Sequence, residues 1–122
     1  MKYMLLIYNR PDFVEDLSDN AREELFAEVD AIMAELTESG ELVGGQALTD
    51  PSTARTVRQG TTTAHTVTDG PFMESKEQFC GYVEVDVDSL DRAVEIAARW
   101  PDVRYGGAME VRAVMHDGGA EM

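Results

Sequence analysis

The chain has 122 residues, 43% of them hydrophobic and 28% charged, which fits one globular domain and neither a disordered tail nor a membrane protein. Ten Lys and Arg against 24 Asp and Glu leave a formal charge of −14. Such a surface repels phosphate backbones and anionic lipid heads, so no nucleic acid and no membrane is expected as a partner. The longest apolar run, Tyr3-Met4-Leu5-Leu6-Ile7-Tyr8, is far too short to span a bilayer. No small-residue cleavage site follows it, so it is not expected to be a signal peptide. The single cysteine, Cys80, allows no internal disulfide framework and fits a reducing, cytoplasmic location.

In chain order, residues 2–8 predict a strand that is apolar on both faces, broken by Arg10-Pro11-Asp12. A long helix is expected over 18–39, with Ser18 or Asp19 as N-cap and Gly40 just past its end. Leu25, Phe26, Val29, Ile32, Met33 and Leu36 recur at helical spacing, whereas Glu24, Glu28, Glu35 and Glu38 lie largely outside that stripe. Residues 41–49 read as a second strand weakened by Gly44 and Gly45, and Asp50-Pro51 turns the chain. Two Thr- and Val-rich runs at 53–58 and 62–68 flank Gln59-Gly60 and read as a hairpin. In the strand expected at 79–87, Val83, Val85 and Val87 share one face and Tyr82, Glu84 and Asp86 the other. A second helix is expected to start at an Asp88 cap, with Leu90, Ala93, Val94, Ile96, Ala97 and Trp100 on its apolar side and Pro101 as its stop. The last strand is placed at 104–115, entered through Gly106-Gly107, and residues 116–122 form a frayed tail outside the single domain at 1–115.

Without the hairpin this order is βαββαβ, so the expected class is α+β, ferredoxin-like with an inserted β-hairpin. Two helices cover only one face of such a sheet. The two-faced first strand therefore calls for a cover on the other side, and a second subunit is the simplest one, giving a homodimer.

The segment Thr68-Asp69-Gly70-Pro71-Phe72-Met73-Glu74-Ser75-Lys76-Glu77-Gln78-Phe79-Cys80-Gly81-Tyr82 is the densest in special residues. Together with Met1-Lys2-Tyr3-Met4-Leu5-Leu6-Ile7-Tyr8, Leu42-Val43-Gly44-Gly45 and Gly107-Ala108-Met109-Glu110-Val111-Arg112, it resembles the DGPF-domain branch of the YCII-related proteins. The resemblance covers nearly the whole chain and implies a ferredoxin-like fold that pairs into a dimeric α+β barrel. Most DGPF-type proteins have no established activity. Some YCII-related relatives look like small-molecule enzymes with a His-Asp pair in a cleft between the first helix and the sheet. Counting back from Gly40 puts Val29 at the place of that histidine, and Trp100-Pro101 stands where the relatives carry Asp-Pro, so the pair is not carried over. Genes of this class also neighbour those of extracytoplasmic-function sigma factors, which implies a regulatory or stress role.

Read from the residues alone, Asp69-Gly70-Pro71 is either a tight turn or a pocket mouth. In the second reading Asp69 is an acid-base or anchoring carboxylate, Phe72 an apolar wall, and Glu74, Lys76 and Glu77 supporting charges on the same loop. His65, four residues before Asp69, is the companion acid-base candidate if Asp69 orients its ring. Glu84, Glu110 and Arg112 lie on strands, and the first two should point away from the helices; the three read either as a structural Arg-carboxylate set or as ligand contacts. Cys80 reads as a small buried hydrophobe. Two candidate side chains make no zinc site, and neither glycine pair has phosphate-loop spacing, so no metal and no cofactor is expected. Two functions stay open: a cofactor-independent small-molecule enzyme or binding protein with a cleft near residues 69–72, and a non-catalytic regulatory partner docking through Glu23, Glu24, Glu28 and Glu35.

Overall fold

Bulky apolar side chains at successive positions commit Lys2–Asn9 to an extended strand, β1, and the rest of the sheet forms around it. The computed structural model describes residues 1–60, 64–73 and 75–116. In it β1 is followed by one helical turn, α1 (Phe13–Asp16), the long helix α2 (Asp19–Ser39), and strand β2 (Leu42–Ala47). Strands β3 (Arg55–Gln59), β4 (His65–Asp69) and β5 (Gln78–Asp86), helix α3 (Leu90–Ala98) and strand β6 (Ala108–Ala113) complete the order. Four strands form one sheet in the order β2-β5-β1-β6, and every pairing in it is antiparallel. The α2 crossover therefore joins strands on either side of β5, and the α3 crossover joins strands on either side of β1. That α+β arrangement is compatible with a ferredoxin-like fold.

Local chemistry sets the helix ends. Ser18 holds an extended conformation and its hydroxyl accepts from the Ala21 N–H at 3.2 Å. At the other end Gly40 takes a left-handed φ of +79° and donates its N–H back to the Leu36 and Thr37 carbonyls. Leu25, Ile32 and Leu36 are buried, the last two in the core, with Val29 and Met33 packed against it. Phe26 is exposed, so the stripe is narrower than its apolar spacing implies.

Strand ends shift from the sequence expectation by one to four residues, and three differences matter for the fold. The cap of α3 is Ser89, not Asp88: the Ser89 hydroxyl accepts from the Arg92 N–H at 3.1 Å. That offset puts Leu90 at the first helical position, and Leu90 and Val94 one turn later are both exposed, while Ala93, Ile96, Ala97 and Trp100 are buried. Pro101 stops α3 and, with its φ already set, starts a 3-10 turn over Pro101–Tyr105. That turn consumes the residues expected to open the last strand, so β6 begins at Ala108 and not at 104. Third, Arg10-Pro11-Asp12 breaks β1 as expected, but the chain then makes α1, which buries Phe13.

The core comprises Tyr3 and Leu5 of β1, Ile32 and Leu36 of α2, Val83, Val85 and Val87, and Ala93, Ile96, Ala97 and Trp100. All three valines are buried, so the period-two reading of β5 holds through that stretch. Earlier in β5 it breaks: Ile7 pairs with Gly81 but Tyr8 with Phe79, leaving Cys80 as the extra residue of a bulge. On the face of β1 opposite the core, Met4, Leu6 and Tyr8 are half-buried. Strands β3 and β4 pair only with each other, as a separate two-stranded sheet. Of the expected Gln59-Gly60 turn, Gln59 instead ends β3 opposite His65, and Gly60 donates its N–H to the Ala64 carbonyl at 3.0 Å; residues 61–63, Glu74 and the tail residues 117–122 lie outside the described residues.

One ion pair ties the two crossovers together. Arg92 donates from Nε and Nη2 to Glu41 Oε2 and Oε1, both at 2.8 Å, and Ser39 adds a hydroxyl to the same carboxylate at 2.8 Å. The Arg92 guanidinium first, then Ser39, holds the Glu41 carboxyl down to about 2. A lowered native value stabilises the fold above the unfolded value of 4.5, and that contribution disappears as pH falls through about 2. Glu41→Gln should therefore cost about 1–2 kcal/mol at neutral pH, a modest sum because the pair stays partly solvated. Urea unfolding curves should show this difference shrinking steadily below pH 4.5; a difference independent of pH would contradict it.

Candidate functional site

Helix α2 does not lie flush on the sheet along its first half. Between them opens a cavity of about 390 Å³. Leu25, Phe26, Val29 and Met33 form its helical wall, Ile7 and the edge of β2 from Gly45 to Ala47 its floor, and Phe13 and Val14 of α1 one end. Cys80, the bulged residue of β5, also lines it, as do Trp100 and Asp102. Beside the bulge, the close approach of β2 depends on glycine, because a Cβ on Gly81 would run into the Gln46 carbonyl oxygen.

Asp102 is the one charged residue in this apolar lining, and it is buried. Asn9, also buried at the end of β1, donates from Nδ2 to Asp102 Oδ2 at 3.2 Å. The orientation of that carboxamide is fixed by its other end, because Asn9 Oδ1 accepts the Arg10 N–H at 2.9 Å. Gly107 closes the arrangement: a Cβ there would stand 2.5 Å from the Tyr8 carbonyl and 2.8 Å from Asn9 Nδ2. Burial pushes the Asp102 carboxyl up from its ordinary value, and the Asn9 hydrogen bond offsets only part of that. Burial likewise raises the Cys80 thiol, with the nearby Asp102 adding to it. Its Sγ–H donates to the Gln78 carbonyl at 3.2 Å, so the cysteine is a protonated wall and not a nucleophile. The cavity thus offers apolar contact and one buried carboxyl group held in place by Asn9.

The residues singled out from sequence lie elsewhere, in three separate places. Asp69 ends β4, exposed, with Arg55 Nε 3.1 Å from its carboxylate across the two-stranded sheet. Gly70 has a left-handed φ of +94° and donates its N–H to the Ala54 carbonyl at 2.8 Å, so backbone bonds close this turn. Asp69 borders a groove of about 440 Å³ with Pro11, Asp50, Ser52, Ser75 and Gln78. Phe72 is exposed and sits under the Arg58 guanidinium, 5.2 Å from the ring centre, away from the α2 cavity. His65 stands at the far end of β4, opposite Gln59. Four residues of strand separate it from Asp69 by about 13 Å, too far for Asp69 to orient its ring. Lys76 and Glu77 border a small notch of about 120 Å³ with Asn9, Arg10, Tyr105 and Gly106.

Glu84, Glu110 and Arg112 do share the sheet face opposite the helices, beside Met4 and Leu6. Their expected pairing is absent: among the described residues Arg112 makes no ion pair, and Glu110 instead accepts from the Tyr8 hydroxyl at 3.2 Å. Burial first, then that carboxylate, raises the Tyr8 phenol. No group of three His, Cys, Asp or Glu among the described residues is placed to hold a metal ion. No described helix is long and apolar enough to cross a membrane.

Sequence reasoning missed Asp102 and Asn9. A carboxylate directly after the buried Trp100-Pro101 step was the available signal, and Val29, the place counted for the relatives' histidine, does line the cavity. The raised carboxyl makes a signed prediction. Its native value lies above 3.8, so the stability it lends is complete below that pH and falls as the buried group is forced to ionise. Asp102→Asn keeps an acceptor for Asn9 Nδ2 and cannot ionise. Thermal melts should show this variant gaining on wild type as pH rises from about 4 to about 7; a constant difference would mean that the ionised group is accommodated without cost.

The YCII-related domain family matches residues 1–116. The chain is also similar to an uncharacterised protein of Rhizobium meliloti (strain 1021), 33% identical over 113 residues that cover 92% of this chain and 90% of that protein. With the family model matched over residues 1–116 and a relative matched over about nine-tenths of each chain, this chain belongs to the YCII-related domain family.

Proposed function

We propose that this protein, of the DGPF branch by its Asp69-Gly70-Pro71-Phe72 motif, is a cofactor-independent small-molecule-binding protein whose ligand lies between α2 and the sheet. The observation that carries the reading is Asp102, the single buried carboxyl among the described residues, set in a largely apolar cavity and held in one orientation by Asn9. Apolar clefts with a few fixed polar groups are the usual form of small-ligand sites. A ligand of roughly twenty non-hydrogen atoms at about −0.3 kcal/mol each gains on the order of −6 kcal/mol, a Kd of tens of micromolar. Asp102 would meet a polar group of the ligand.

The free thiol of Cys80 supports a cytoplasmic setting. The half-buried Met4, Leu6 and Tyr8, on a sheet face that the two crossover helices leave open, support a homodimer. The regulatory reading has less to stand on: of its docking charges, Glu28 is bound by Arg104 at 2.6 Å and Glu35 by Arg99 at 2.6 Å.

Nile red, a neutral apolar dye, provides the test. Wild type should enhance its fluorescence saturably, Val29→Trp should weaken binding at least about tenfold by filling the cavity, and Asp69→Asn should leave it unchanged. Binding that survives Val29→Trp and is lost in Asp69→Asn would move the site to the 69–72 loop.

A further inference from the structure

The β3–β4 ribbon is poorly supported by its own chain. Its strands pair only with each other, and an isolated two-stranded ribbon is marginal in water. Of its residues only Thr56 is even half-buried. Val57 and Val67 stand directly opposite one another on one face, 61% and 60% exposed. On the other face Arg58 lies over Phe72, and Phe72 and Met73 are each 67% exposed. Aromatic residues, Met and Arg are enriched at the centres of protein interfaces relative to free surface.

Charge identifies the occupant. Residues 51–68 are the longest stretch of the chain without Asp or Glu, and they carry Arg55 and Arg58. The remaining residues hold all 24 carboxylates against eight Lys and Arg, a net charge of −16. A second copy of the chain therefore offers the ribbon an acidic surface. Along α2, Glu23, Glu24, Asp30 and Glu38 are exposed, and none of them is in an ion pair among the described residues. Five residues per strand make a ribbon about 17 Å long, too small for the roughly 800 Å² each partner buries in a standard interface. The ribbon must add to a larger contact, and the open sheet face supplies one.

We propose that the β3–β4 ribbon is an arm that clasps a second copy of this chain, which covers Val57 and Val67 and sets its carboxylates against Arg58. This rests on the homodimer reading above. The contact also explains how two chains of −14 associate, since each arm carries positive charge onto the other's acidic surface.

Sedimentation velocity on wild type, Val57→Asp/Val67→Asp, Arg58→Glu and Leu6→Asp separates the two claims, with circular dichroism confirming the fold of each. Wild type should sediment at twice 13.5 kDa. Both ribbon variants should dissociate at least about tenfold more readily, and Leu6→Asp more readily still. A Val57→Cys, Cys80→Ser protein labelled with a benzophenone maleimide should cross-link to its partner on irradiation, which keeps the test decisive if the double Asp variant misfolds. A wild type that stays monomeric would overturn both claims. A dimer that the ribbon variants leave intact, with cross-links confined to one chain, would overturn the arm and leave the sheet-face dimer standing.

Discussion

β1 is hydrogen-bonded along both edges, to β5 on one side and β6 on the other, so its side chains decide what each face of the sheet must meet. Tyr3 and Leu5 point to the helices and enter the core, where each fully buried large side chain contributes on the order of 2 kcal/mol. Both crossover helices are drawn to that face. At the end of the same strand Asn9 is buried and polar, and its carboxamide fixes Asp102 in the turn after α3. One strand thus sets the core, leaves the opposite face with half-buried Met4, Leu6 and Tyr8, and supplies the polar anchor of the cavity.

The cavity exists because packing fails in one place. Where β5 runs beside the second half of β1, an extra residue enters the ladder and Cys80 turns toward α2. The β2 edge there is Gly45-Gln46-Ala47, with little side-chain volume to fill the gap. Val29 on the facing helix is small, and Phe26 lies at the mouth and not inside. A bulge, small residues and a buried carboxyl held from behind give a space that is apolar on its walls and polar at one point. Its chemistry is correspondingly narrow: recognition by shape and apolar contact, with one buried carboxyl to select the ligand's orientation.

The fold was legible wherever the decisive interactions are local. Ser18 and Gly40 mark the ends of α2 because capping acts within one turn, and Val83, Val85 and Val87 mark a strand because their period is two. The Asp88 cap failed by one residue because two adjacent residues of similar chemistry compete, and Ser89 carries the hydroxyl that reaches Arg92. The site was much less legible. The charges around residues 69–77 crowd together in sequence but serve an exposed ribbon end and its turn, with Asp69 answered by Arg55. Asp102, Asn9 and Cys80 are far apart in sequence and meet through a register shift and a 3-10 turn, neither of which leaves a periodic signal.

The central claim, that the space between α2 and the sheet is a ligand site with Asp102 as its polar contact, is tested most directly by crystallography. Crystals should be grown from protein purified gently from the cells that make it. The account predicts non-protein electron density between Val29 and Cys80, with a polar atom within about 3 Å of the Asp102 carboxyl. A cavity closed by its own Phe26 and Met33 side chains, or density seated instead on the 69–72 loop, would contradict it.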